Sequence, residues 1–224
     1  MKKNIIALDA SQRLEIEKLK EILKDHIKKY SDFKCFIKTS KDALIIADAL
    51  LNNDYKTFIK YALKITTHTA DKMRGIYSLS TYKKTSSICC YLSQHNGICS
   101  KCYAEKSIKL YNATLTPTLI YNTLLLKYID IDDRQVPIIN NKFFRFESFS
   151  DLQSSKHLKN LIKICNKNKN TIFTLWTKAG YTLIKYIDNE KYDYNKLKRF
   201  VNKYVTATGD SAKKIYDLIL ELDK

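Results

Sequence analysis

The sequence predicts an α/β fold: a parallel sheet like part of a βα barrel, preceded by an N-terminal helical region and followed by C-terminal helices. Three observations predict it. Residues 143–176 read as strand, helix and strand, the order and length of a βαβ unit. Residues 11–65 carry apolar side chains at helical spacing, with turn signals between them. The chain is 224 residues long and 45% hydrophobic, enough to bury a core, with only four glycines and two prolines. We expect residues 1–70 to form a mostly helical region and 71–224 an α/β core that includes a cysteine-rich segment at 88–105.

In chain order, Leu14, Ile16, Leu19, Ile22, Leu23 and Ile27 form the stripe of a first helix, with Ser11 as its cap. Residues 33–37 form a short aromatic and β-branched run that reads as a strand. Ser40 or Asp42 then opens a helix through Leu51, and Asp54 opens another through Ile65. His26 and His68 have no companion ligands nearby and read as ordinary histidines. Residues 76–80 lean towards strand, 103–111 towards helix, and Pro117 stands at the start of a helix running to about Ile129. A polar loop over 130–137 precedes the βαβ unit. There Ser154 or Ser155 caps a helix with Leu158, Leu161, Ile162 and Cys165 on one face, and Trp176 reads as a core residue of the second strand. Residues 193–205 and 211–222 read as helices.

Four of the six cysteines lie in 88–105. Cys99 and Cys102 make a C-x2-C, a spacing at which one turn aims two sulfurs at one ion, and Cys89, Cys90 and His95 lie close upstream. Zinc suits such a set, in shells of four cysteines or three cysteines and a histidine. A thiolate-held iron-sulfur cluster is the rival, and small apolar thiols in a reducing cytosol are the bland reading. Adjacent Cys89 and Cys90 diverge by about 100° on a helix, so one of the two is a bystander.

Forty Lys and Arg against twenty-three Asp and Glu give a net charge of +17, which suits a polyanionic partner such as nucleic acid. Lysines spread over every helix would also produce that excess as an ordinary solvated surface. No apolar run has the length of a membrane span, and the N-terminus turns charged before a signal-peptide core forms, so the expected location is cytoplasmic, without a membrane partner. Gly-rich phosphate loops, nucleophile elbows and H-E-x-x-H are absent from the sequence. In a βαβ unit, ligands gather at the carboxyl ends of the strands. Glu147, Ser148 and Asp151 follow the first strand here, and Thr177 and Lys178 the second. Glu147 and Asp151 suit general-base or substrate contacts, Ser148 a cofactor contact and Lys178 an anion contact. In the bland reading Asp151 and Ser155 cap the helix while Glu147 pairs with Lys178.

Two blocks together, 98–105 (ICSKCYAE) and 143–153 (FFRFESFSDLQ) followed by 173–178 (FTLWTK), resemble the phage and mobile-element family known as gene product eighty-eight. The resemblance spans roughly 72–180, including Leu124, Arg134, Val136, Pro137 and Asn140. It implies a site more than an activity, and a host-cell cytoplasm as the location. The CYAE box also resembles phage proteins related to radical S-adenosylmethionine enzymes, where a cysteine trio on a barrel-like βα fold holds a [4Fe-4S] cluster. Position 95 is His where that superfamily's C-x3-C-x2-C would have Cys, so Cys89 or Cys90 would have to be the third ligand. Three functions follow as expectations. The first is an accessory protein with a cysteine-ligated zinc or iron-sulfur site and a nucleic-acid-binding surface. The second is a radical-S-adenosylmethionine-like enzyme using Glu147, Asp151 and Lys178 at the rim. The third is a protein that binds a host factor.

Overall fold

The computed structural model describes residues 7–67, 75–94, 101–179 and 205–207. Helix α1 (Ala10–Lys29) begins at Asp9, not at Ser11: the Asp9 carboxylate accepts from the Gln12 N–H at 2.8 Å, and the Gln12 side chain returns the bond. Its buried stripe is Ile16, Leu19, Leu23 and His26. Helix α2 (Lys34–Leu51) takes in the segment expected to be a strand. Local β-propensity lost there to packing: Ile37 is buried, and the Phe33, Phe36 and Tyr30 rings cluster at the α1–α2 turn. Asp54 caps a helix as expected, but α3 (Tyr55–Phe58) lasts one turn. Beyond it the chain runs extended, bonding Leu63 N–H to the Gln135 carbonyl and bridging Thr66 to Ser78.

Strand β1 (Tyr77–Leu79) leads through a 3-10 turn at Lys83–Thr85 into α4 (Ser87–Gln94). Then come α5 (Tyr103–Leu110) and α6 (Asn112–Leu126). Pro117 lies inside α6 rather than at its start. It cannot donate to the Ala113 carbonyl one turn back, and that carbonyl instead accepts from His26 Nε2 at 3.1 Å. His26 Nδ1 in turn meets the Ser40 hydroxyl at 2.9 Å, so this buried histidine is a fully used internal bridge. Helix α2 packs on both α1 and α6.

Strands β2 (Phe143–Phe146) and β3 (Ile172–Thr177) flank α7 (Ser155–Lys167) and pair in parallel, the expected βαβ unit. Ser154 caps α7, its hydroxyl accepting from the His157 N–H at 3.1 Å. The sheet is parallel throughout, in the order β1-β2-β3-β4, with β4 at Val205–Ala207. Among the described residues it has β1 and β4 as edges and does not close into a barrel. Val205, expected to end a helix, begins this strand; the rest of the two expected C-terminal helices lie outside the described residues, as does His68.

Phe144, Phe146, Phe173 and Leu175 share a hydrophobic cluster with residues of α1, α2, α6 and α7. The three rings lie 5.1–5.7 Å apart, a geometry worth about 0.5–1.5 kcal/mol per pair beyond area burial. Alternate residues point the other way, and Phe143, Ile172 and Trp176 are exposed. Trp176 is 66% exposed, so the core position expected for it is wrong: it falls on the outward parity of β3. Among the described residues no helix is long and apolar enough to cross a membrane.

Candidate active site at the carboxyl rim

Strand β2 ends at Phe146, and the next residue, Glu147, has φ 53°, in the left-handed region. Such a backbone costs a non-glycine residue about 1–2 kcal/mol. Its N–H still bonds the Leu79 carbonyl of β1 at 2.9 Å, while its carboxylate is turned into the protein. Glu147 Oε2 accepts from the Thr81 N–H at 3.2 Å and the Thr81 hydroxyl at 2.9 Å. Oε1 lies 3.3 Å from His157 Nε2, within ion-pair range but not aligned as a hydrogen bond. His157 Nδ1 accepts from the Gln153 N–H at 3.3 Å, so the neutral ring carries its proton on Nε2, facing the carboxylate.

Asp151 fastens the ends of the two strands together. Its Oδ1 accepts from the Thr177 hydroxyl and, at 2.7 Å, from the Leu152 N–H; Oδ2 accepts from the Lys178 N–H at 2.9 Å. Burial pushes its carboxyl above the usual range and the nearby Glu147 charge adds to the rise, while the three hydrogen bonds oppose it. The bland reading of the rim therefore fails: Ser154 caps α7, Asp151 ties β2 to β3, and Glu147 faces Thr81 and His157. Ser148 donates its N–H to the Ser80 hydroxyl at 2.9 Å, and its carbonyl accepts from the Tyr103 hydroxyl.

Cys89 and Cys102 open onto this rim. They line a cavity of about 180 Å³ together with Glu147, Asp151, Lys83 and Lys178. Burial pushes the Cys89 thiol up to about 12, with Asp151 and Glu147 adding to the rise and the Ser86 hydroxyl and Lys83 opposing it. Cys102 precedes the first turn of α5 and makes no capping bond through its sulfur. Cys90 faces elsewhere: its sulfur meets the Lys84 carbonyl at 3.4 Å and lines a different cavity beside Glu15 and Lys127. The angular step along α4 sends its side chain away from the rim, whereas that of Cys89 faces it. Cys99 and His95 lie outside the described residues, and among the described residues no three His, Cys, Asp or Glu converge as a metal shell.

One cation of the cavity, Lys83, has its side chain only 8% exposed and its Nζ 3.0 Å from Glu105 Oε2. Burial works against its charge, but Glu105 and the thiols of Cys102 and Cys89 outweigh burial and hold its pKa above the usual value. At Cys89 the Lys83 charge opposes the rise without overcoming burial. Cys89 and Cys102 line one cavity, and cysteine sulfur is the donor type that zinc or an iron-sulfur cluster takes.

No family model, curated protein or solved structure matches the chain. The site therefore has to be read from its own geometry. That geometry adds His157, Thr81 and Lys83, which the sequence did not single out. His157 lies among the apolar positions of α7, where spacing alone reads as core, and Lys83 meets Glu105 only because the chain folds back at α5. Arg145 was also missed, although its place between the buried Phe144 and Phe146 assigns it to the sheet's opposite face. Its guanidinium lies 5.9 Å from the centre of the Trp176 ring.

Proposed function

We propose that this chain holds a cysteine-ligated metal centre at the carboxyl rim of its parallel sheet, and that the centre is an active site. The observation that carries the reading is that Cys89 and Cys102 line one cavity with Glu147 and Asp151. A purely structural metal knuckle has no need of such company, whereas chemistry at a metal needs a shaped, partly dry cavity with polar groups converging on it. Cys89 and Cys102, with Cys99 from the same C-x2-C, would hold zinc or an iron-sulfur cluster. Zinc would supply a Lewis acid or an activated water, and a cluster would supply electrons, to S-adenosylmethionine under the radical reading. Glu147, backed by His157, is the group to hold or pass a proton at its Oε1, and Asp151 keeps the two strand ends in register around it. The block resemblance given above supports a place among phage or mobile-element accessory proteins.

The test is metal content after anaerobic purification. Brown protein with broad visible absorbance identifies a cluster; colourless protein with stoichiometric zinc identifies zinc. Cys89→Ser and Cys102→Ser should each lose most of the metal, and Cys90→Ser should keep it. Full metal in Cys89→Ser, or equal loss in Cys90→Ser, overturns the ligand assignment.

Nucleic-acid binding is the second reading, favoured by the exposure of Trp176 beneath Arg145 on a protein of net charge +17. An aromatic platform beside cations suits stacked bases of a single strand. Trp176→Ala should then weaken single-stranded DNA binding about tenfold or more, and affinity should fall steeply between two salt concentrations. Salt-insensitive binding, or none, removes this reading.

A further inference from the structure

A second cavity, of about 860 Å³, shares a wall with the cysteine cavity. Tyr103, Arg145, Ser148 and Phe149 belong to both. The wall is bonded together: Arg145 Nη2 donates to the Tyr103 hydroxyl at 3.4 Å, and that hydroxyl donates to the Ser148 carbonyl. Arg145 Nε is buried and has no hydrogen-bond partner, and among the described residues no carboxylate lies within ion-pair distance of the guanidinium. A half-buried guanidinium with a free donor and no counter-charge asks for an anion. The other cation that lines the cavity among the described residues, Lys64, already stands 3.8 Å from Asp42.

The rest of the lining narrows the anion. Among the described residues it contains no Asp or Glu. Three aromatic rings, Tyr103, Tyr111 and Phe149, offer flat apolar surface, and the hydroxyls of Thr66, Thr67, Thr114 and Thr118 offer donors and acceptors suited to the edge of a heterocycle. The volume lies in the range of small-molecule sites. An inorganic anion would satisfy Arg145 and leave the aromatic surface wet; an apolar ligand would leave Arg145 unpartnered.

We propose that this second cavity binds a nucleotide, its phosphate on Arg145 and its base against the aromatic side chains. The proposal does not rest on what the cysteine cavity holds, so it stands or falls separately from the metal. It also differs from binding along the exposed sheet face, because it seats one nucleotide in a single open cavity.

The test is titration calorimetry of the whole protein at 0.15 M salt with AMP, adenosine, inorganic phosphate and a 5′-phosphorylated tetranucleotide. AMP should bind at least about tenfold more tightly than adenosine or phosphate, because each fragment forfeits one half of the contacts. Arg145→Gln should weaken AMP about tenfold or more while leaving adenosine unchanged. Thr114→Trp, at an exposed position of the lining, should block AMP without disturbing the core, and so carries the test if the Arg145 variant folds poorly. Lys24→Gln, on exposed α1 surface, should do nothing. Tetranucleotide binding tighter than AMP identifies the ligand as a strand end, and weaker binding identifies a free nucleotide. Phosphate equal to AMP, undiminished binding in Thr114→Trp, equal loss in Lys24→Gln, or no AMP binding at millimolar concentration would each overturn the proposal.

Discussion

Glu147→Gln isolates the buried contact at the centre of the rim. The side chain keeps its shape, but one oxygen becomes an amide with two donors. Placed with its oxygen on the Thr81 N–H and hydroxyl, the amide nitrogen faces His157 Nε2–H, donor against donor; flipped, it faces the Thr81 donors instead. Either way a buried donor is left unmet, at about 1–3 kcal/mol, and hydrogen bonds to a charged acceptor become weaker neutral ones. We expect a loss of about 3 kcal/mol. At an m-value of about 3 kcal/mol/M that lowers the urea midpoint by roughly 1 M. The assay is urea unfolding followed by circular dichroism, run as a double-mutant cycle with His157→Leu, where the double variant should lose less than the sum of the singles. An unchanged midpoint in Glu147→Gln, or strict additivity with His157→Leu, would refute the assigned tautomer and the coupling built on it.

Burial lowers the pKa of His26 below 6.5, outweighing its backbone hydrogen bonds. Its contribution is therefore complete above the unfolded pKa and is lost as pH falls through the folded one; His26→Gln should flatten the thermal midpoint below about pH 6.5, and an unchanged slope argues against it. The Glu105 carboxyl is held below its usual value, chiefly by its bond from Lys83, so the stability it gives is present above the unfolded pKa and lost as pH falls through the folded one. Glu105→Gln strands a buried ammonium and should cost about 3 kcal/mol, read as a lower melting temperature whose deficit narrows towards acid pH; a deficit constant with pH would count against the pair. Asn160 accepts from the Ile131 N–H and donates to the carbonyls of Leu126 and Ile129, so Asn160→Ala unmakes three buried bonds at once. About 3 kcal/mol should be lost, and a midpoint within experimental error of the parent would show that the α6 end is held by packing instead.

The βαβ unit was legible because periods of 2 and 3.6 alternate sharply there and Ser154 marks the boundary. The same strand rule also read Trp176 wrongly: residue type suggested core, whereas parity with the buried Phe173 and Leu175 already turned it outward. In 33–37 the same aromatic and β-branched character supports a helix, since α2 packs on α6, a partner distant in sequence, as well as on the neighbouring α1. The cysteine pair showed that one sulfur must turn away; only the setting of α4 against the rim shows that it is Cys90. His157 had no local signature, because its significance is a carboxylate ten positions earlier, in another element, on a left-handed backbone.

The fault that Pro117 makes in α6 is mended by a side chain that precedes it in synthesis. His26 and Ala113 are 87 residues apart, so at about 5–20 residues per second the mending imidazole leaves the ribosome roughly 4–17 s before the helix that needs it. Helices α1 and α2 have that interval in which to pair and bring His26 against Ser40, the contact that the finished fold holds at 2.9 Å. Reversing the order of emergence, with residues 7–51 moved to the far end of a circular permutant, would leave the Ala113 carbonyl waiting on a helix with a missing bond. The finished fold would be the same, but the nascent one would be exposed to chaperones and proteases for longer.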